Sequence, residues 1–170
     1  SAGGLLAAVD AIVAGAVRNA YCLVRPPGHH AVADMGMGFC IFNNIAIAAH
    51  HARTHSVQGR KIQKICIVDY DVHHGNGTQA MFWDDPQCLF ISLHQDNNYP
   101  VGAGAAEEIG GPSAQGTNIN IPLPPGSGSK VYHMAFQKVV LPAIERFQPD
   151  FILVSSGFDA SFADPLARMM

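Results

Sequence analysis

Four short runs of apolar residues, at positions 21–24, 65–68, 89–91 and 151–154, constrain the fold of this chain more than any other feature. None of them alternates with polar residues, so neither side of any run is suited to water. Strands of that kind occur in parallel sheets covered by helices on both faces. Residues 118–121, Asn-Ile-Asn-Ile, do alternate and predict a strand nearer an edge. Between the runs, Ile41, Ile45, Ala48, Ala49 and Ala52 fall at helical spacing, as do Phe136, Val139, Val140, Ala143, Ile144 and Phe147. Ser129 is placed to cap the second of these helices, and Pro142 to bend or loosen it. The first fifteen residues, rich in Ala and Leu, read as the tail of another helix. The expected fold class is α/β: a three-layer α/β/α arrangement with a mostly parallel sheet, in one domain.

The 170 residues suffice for one hydrophobic core, and a composition of 48% hydrophobic against 14% charged residues fits a heavily buried sheet. The net charge of −3, without a Lys/Arg run, predicts no direct nucleic-acid binding. The apolar stretches fall far short of the roughly 18 residues of a membrane span, and no basic-then-apolar leader opens the chain. Cys22, Cys40, Cys66 and Cys88 lack a CxxC or any ladder of spacings, so free thiols in a reducing compartment are expected, with the cytoplasm as the default.

The polar clusters follow the strands. Arg25-Pro26-Pro27-Gly28-His29-His30 comes after the first, and Asp69-Tyr70-Asp71-Val72-His73-His74 after the second. Ser92-Leu93-His94 ends the third, and Gly157-Phe158-Asp159 follows the last. Ligands of open parallel sheets bind at the carboxyl ends of the strands, so all four clusters should meet on one rim. Extended alternation sends Asp69, Asp71 and His73 to one side. Two of them plus a carboxylate from a neighbouring strand end, naturally Asp159, supply three ligands for a divalent ion. A fourth position stays open for water, as in a catalytic metal site. Beside such a site, His29 and His30 become candidates for a general base or acid near pH 7. His50 and His51, late in a helix, suit its negative end, and His55 and His133 default to surface roles.

Taken together, these runs resemble the histone deacetylase family, most closely its class II and bacterial histone-deacetylase-like amidohydrolase branch. The matching segments are Arg25-Pro-Pro-Gly-His-His, Met37-Gly-Phe-Cys-Ile-Phe-Asn-Asn44, Asp69-Tyr-Asp-Val-His-His-Gly-Asn-Gly-Thr78, Ile91-Ser-Leu-His94 and Gly157-Phe-Asp-Ala160 with Asp164-Pro165. The resemblance implies an arginase/deacetylase-like fold and a zinc-dependent deacylase that hydrolyses the acyl amide of lysine or a lysine-like amine with a metal-activated water. It implies zinc ligands at Asp71, His73 and Asp159, a general base at His30, and a neighbouring His29 oriented by Asp69. Asn76 stands where class I members carry an acidic partner for the base, and a neutral partner raises basicity less. Gly38 and Phe39 correspond to part of a narrow acyl-lysine channel, with Tyr99 as its opposing wall. Potassium is implied at an inner site (Asp69, Asp71, His73, Ser92, Leu93) and an outer one (Phe82, Asp85, Cys88).

The family's transition-state tyrosine lies in a Gly-Gly-Tyr segment, and none of Tyr21, Tyr70, Tyr99 or Tyr132 sits in one. The acidic loop that grips the substrate backbone is also without a match. The expectation is therefore that residues 1–170 are one partial catalytic domain lacking N-terminal and C-terminal portions, weakly active or inactive alone. Expected partners are an acyl-lysine protein or peptide, or an acetylated polyamine. Alternatives are an acetylpolyamine amidohydrolase, an arginase-like manganese hydrolase, and a non-catalytic acyl-lysine-binding relative.

Overall fold

The structure, a computed structural model, describes residues 1–57 and 59–170. Four parallel strands form the sheet: β3 (Ile65–Asp69), β4 (Cys88–Gln95), β5 (Asn118–Leu123) and β6 (Phe151–Ser155), in the order β5-β4-β3-β6. Two-residue strands β1 (Ser56–Val57) and β2 (Arg60–Lys61) make a separate antiparallel ribbon.

Every residue of β3 and β4 is buried, as their unbroken apolar runs require. Their alternate side chains enter two different cores. On one face, Ile65, Ile67 and Phe90 pack with Val9 of α1 (Ala2–Val13) and Ile45, Ala48, Ala49 and Ala52 of α2 (Asn44–Ala52). On the other, Cys66, Val68, Leu89, Ile91 and Leu93 meet Val140, with Phe136, Ile144 and Phe147 around them. The three-layer α/β/α expectation is met. A fully buried Ile contributes about 1.5–3 kcal/mol relative to exposure, so the paired Ile and Val positions of β3 and β4 anchor the fold.

The helix after β5 runs through α4 (Ser129–Ala135), a π-helical turn (Phe136–Val140) and α5 (Leu141–Phe147). Pro142 offers no N–H to the preceding turn, and the widened turn directly before it absorbs that gap. The expected loosening at Pro142 is present in this form. Gly128, not Ser129, occupies the capping position, and no side chain caps the helix. The alternating β5 lies at the sheet edge as expected.

Three further expectations need correction. Residues 21–24 form no strand; Tyr21 and Leu23 are exposed, and no described strand lies beside them. A strand needs a hydrogen-bonding neighbour, and apolar composition alone does not supply one. The β6 run is likewise not buried on both faces: Ile152 and Val154 are each 49% exposed, and among the described residues β6 pairs only with β3. Between β6 and residues 20–24 lies a trough of about 900 Å³ lined by both. Finally, Ile41 lies outside α2 and is exposed, because Asn43 caps the helix by accepting a 3.1 Å hydrogen bond from the Ala46 N–H.

Candidate metal and acid–base site

The parallel order of β6, β3 and β4 brings the segments after their carboxyl ends together. The structure places one ligand atom each of Asp71, His73 and Asp159 within 4.8 Å of one another. His73 Nδ1 is 2.8 Å from Asp159 Oδ2 and 3.1 Å from Asp71 Oδ1. Backbone donors hold the carboxylates: the Val72 N–H donates to Asp159 Oδ1 at 2.9 Å, and the His73 N–H to Asp71 Oδ1 at 2.9 Å. Hydrogen bonds donated to the Asp159 and Asp71 carboxylates raise His73 to about 9. Burial works against ionisation of Asp71, yet the His73 hydrogen bond and the His29 charge hold it down at about 2. Two carboxylates converging on one imidazole nitrogen leave a pocket of excess negative charge. That donor set, one nitrogen and two oxygens with a side open, fits a divalent ion such as zinc.

Asp69 is fully buried at the end of β3. It accepts from His29 Nδ1 at 2.8 Å and from the Asp71 N–H at 3.2 Å, so it ties the imidazole to the ligand-bearing turn. Burial opposes protonation of His29, and the Asp69 carboxylate overrides it, lifting His29 to about 9. His29 Nε2 then lies 3.9 Å from Asp71 Oδ1. The His30 ring stacks 4.0 Å from that of His29. Its Nδ1–H donates to Asn76 Oδ1 at 2.8 Å, which leaves Nε2 as the basic nitrogen. Burial and the neighbouring His29 lower His30 to about 4. Two adjacent imidazoles thus have opposite protonation tendencies, the pattern that separates a charged group from a neutral base.

The loop carrying this pair is pinned from three sides. The Thr78 N–H of α3 (Asn76–Phe82) donates to the His29 carbonyl at 3.1 Å. Asn43 Nδ2 donates to the Ala31 carbonyl at 3.1 Å, and Asn44 Nδ2 to that of Pro26 at 3.1 Å. Gly77 lets α3 approach so closely, since a Cβ there would strike the Ala31 carbonyl. Gly38, at φ +55°, sits against the His30 ring in the same way. Phe39 beside it is largely exposed, and the Tyr99 ring stands edge-on to His30 at 5.0 Å. Of the three residues expected to line a channel, Gly38 and Tyr99 lie against His30.

Asp69 and Ser92 of the inner potassium set are register partners on β3 and β4. Phe82, Asp85 and Cys88 lie at the other end of the sheet, where β4 begins. There the Phe82 and Asp85 carbonyls accept from the Asp85 and Cys88 N–H groups, and Arg53 holds the Asp85 carboxylate at 2.5 Å.

Sequence reasoning missed two features. Gly157 abuts Asp71 so tightly that a Cβ would overlap its carboxylate. A buried polar network also stands behind the site. His74 Nε2–H donates to Gln79 Oε1 and Asn120 Oδ1, both at 3.1 Å, and Gln79 Nε2 donates to Glu108 Oε2 at 2.6 Å. The His94 ring lies 4.7 Å from that of His74. A polar residue recurring on the inward side of β5, as at Asn118 and Asn120, was the available signal.

Burial and the nearby His94 lower His74 to about 4, whereas an unfolded imidazole titrates near 6.5. Below pH 6.5 the unfolded chain takes up a proton that folded His74 refuses, so this contribution to stability falls as pH drops from 6.5 to 4. Between pH 7.5 and 5 the protein should lose about 2 kcal/mol that a His74→Gln variant does not lose. Urea unfolding of both proteins at the two pH values checks this, and a stability gap independent of pH would count against it.

The histone deacetylase domain matches residues 1–170, the whole of the sequence. This chain belongs to the histone deacetylase family. It is 51% identical over 169 residues to a histone deacetylase-like amidohydrolase of Pseudomonas aeruginosa, covering 99% of this chain and 43% of that protein. It is 48% identical over 176 residues to the chloroplastic histone deacetylase 14 of Arabidopsis thaliana, covering 99% and 40%. The crystal structure of the HDA15 HD domain superposes with a TM-score of 0.91 at 46% identity, covering 99% of this chain and 48% of that one. The acetylpolyamine aminohydrolase from Burkholderia pseudomallei gives a TM-score of 0.91 at 38% identity, covering 99% and 47%. The chain thus spans less than half the length of these relatives. The fold is the α/β arginase/deacetylase-like one of these structural relatives. Among the described residues no helix is long and apolar enough to cross a membrane.

Proposed function

We propose that the protein hydrolyses the amide of an acylated lysine or lysine-like amine, with zinc held by Asp71, His73 and Asp159. The observation that carries this reading is the trio of ligand atoms within 4.8 Å of one another, flanked by two imidazoles of opposite protonation tendency. When bound there, the ion supplies Lewis acidity, polarising the acyl carbonyl and acidifying water. His30, neutral and with Nε2 free of its Asn76 hydrogen bond, takes the proton from the attacking water and returns it to the leaving amine. His29, kept protonated by Asp69, places the water and offsets negative charge beside Asp71. Gly38 leaves room for an extended acyl chain next to His30, with Tyr99 as one wall and Phe39 at its mouth.

Potassium at the inner set of Asp69, Asp71, His73, Ser92 and Leu93 belongs to the same reading, as does the outer set near Phe82, Asp85 and Cys88. The four free thiols suit a reducing compartment, and cytoplasm is the proposed location, although a chloroplastic relative exists. The 170 residues are proposed to form part of one catalytic domain, with weak activity or none by themselves, so the full-length protein is the one to assay.

Zinc-loaded full-length protein should release acetate from an acetyl-lysine peptide or from acetylputrescine, and the ratio of the two kcat/KM values assigns the substrate class. The likeness to the Burkholderia aminohydrolase keeps the polyamine reading open. Tight hydroxamate binding with no turnover of any acyl amide would instead mark a non-catalytic acyl-lysine binder.

A further inference from the structure

A second imidazole–carboxylate group lies far from the strand-end rim, where α1 crosses the end of α2. We propose that Asp10, His51 and His55 form a surface site for a divalent transition-metal ion that staples α1 to the turn following α2. One ligand atom of each lies within 4.8 Å of the others. His51 Nε2 is 2.6 Å from Asp10 Oδ1, His55 Nε2 is 3.4 Å from the same oxygen, and the two rings are 4.6 Å apart.

The hydrogen bonds around His55 leave its other ring nitrogen available to a cation. The Thr54 hydroxyl donates to the His51 carbonyl at 2.7 Å, so its oxygen is free to accept. His55 Nδ1 lies 3.0 Å from both that carbonyl and that hydroxyl oxygen. Nδ1 therefore carries the proton, and the lone pair of a neutral His55 sits on Nε2, 3.4 Å from Asp10 Oδ1. That nitrogen and the carboxylate oxygen are both electron-pair donors, and a cation can bind the two together. A ligating imidazole whose other N–H donates to a backbone carbonyl is the usual outer-sphere arrangement of a metal site.

The dimensions agree. Ligand atoms about 2.0–2.1 Å from a tetrahedral zinc lie about 3.3 Å from one another, close to the His55–Asp10 separation. The His51–Asp10 pair must open by less than about 1 Å, which the exposed Asp10 side chain permits. Two imidazoles and one carboxylate select zinc, nickel or copper over magnesium or calcium, and the solvent side leaves room for water. Val9, beside Asp10, is buried against α2, so an ion here adds a cross-link to an existing helix contact. The site does not rest on the proposed hydrolysis.

The test is a calorimetric titration of Ni²⁺ into full-length protein dialysed to one zinc equivalent per chain, with His51→Gln/His55→Gln and Asp10→Asn as controls. The expected result is one nickel equivalent in the micromolar range, lost in the double variant and weakened more than about tenfold in Asp10→Asn. Saturating nickel should raise the Tm of the parent by roughly 5 °C over that of the double variant. A cluster that holds only protons takes up no such equivalent, and identical titrations for parent and variants overturn the proposal. Asp10→Asn keeps the helix contact intact, so it remains informative should the double variant fold poorly.

Discussion

An Asp71→Ala protein is expected to lose its stoichiometric zinc on dialysis and to hydrolyse an acyl-lysine substrate more than about 10³-fold more slowly. Asp71 accepts from the His73 backbone and meets its ring at 3.1 Å, so its loss removes one ligand and loosens a second. Lewis-acid stabilisation is worth several kcal/mol, and each tenfold in rate corresponds to about 1.4 kcal/mol. The fold should survive, because Asp71 belongs to none of the three core clusters. Circular dichroism confirms that point, and metal analysis in a His51→Gln background restricts the count to the strand-end site. Unchanged zinc in both Asp71→Ala and Asp159→Ala would remove the basis of the proposed chemistry.

A His30→Ala protein should keep its zinc and lose about 10²–10⁴ in kcat, with KM changed little. His30 makes its side-chain hydrogen bond to Asn76 and stands 6.1 Å, ring to ring, from His73, so metal retention does not depend on it. Loss of metal and loss of rate thereby separate between the two variants. Should His30→Ala turn over at the parent rate, the base lies elsewhere, and His29 becomes the group to change next.

The solid apolar runs of β3 and β4 showed their burial in the sequence because both sides of each strand are covered by helices on the same chain. The clusters after β3 and β6 were legible for a related reason: parallel strands deliver the residues that follow them to one rim, whereas His29 and His30 follow no strand and are held by Thr78, Asn43 and Asn44. Residues 21–24 and β6 read alike in composition, yet their different fates depend on which backbone lies alongside, and pairing partners are not written in a local pattern. The cap at Asn43 and the π-helical turn before Pro142 were set by hydrogen bonds three to five residues away, a scale that hydrophobic spacing does not resolve. The His74–Gln79–Asn120–Glu108 network draws on segments up to 46 residues apart and had no local trace beyond the two polar positions of β5.

β6 leads directly into Asp159, yet it is laced to the sheet along one flank only. If Asp159 holds the proposed ion, metal affinity and the order of that strand are thermodynamically coupled. Ordering β6 would then preorganise Asp159 and tighten the ion's hold. By reciprocity, the ion, once captured, firms the strand for whatever docks beside it.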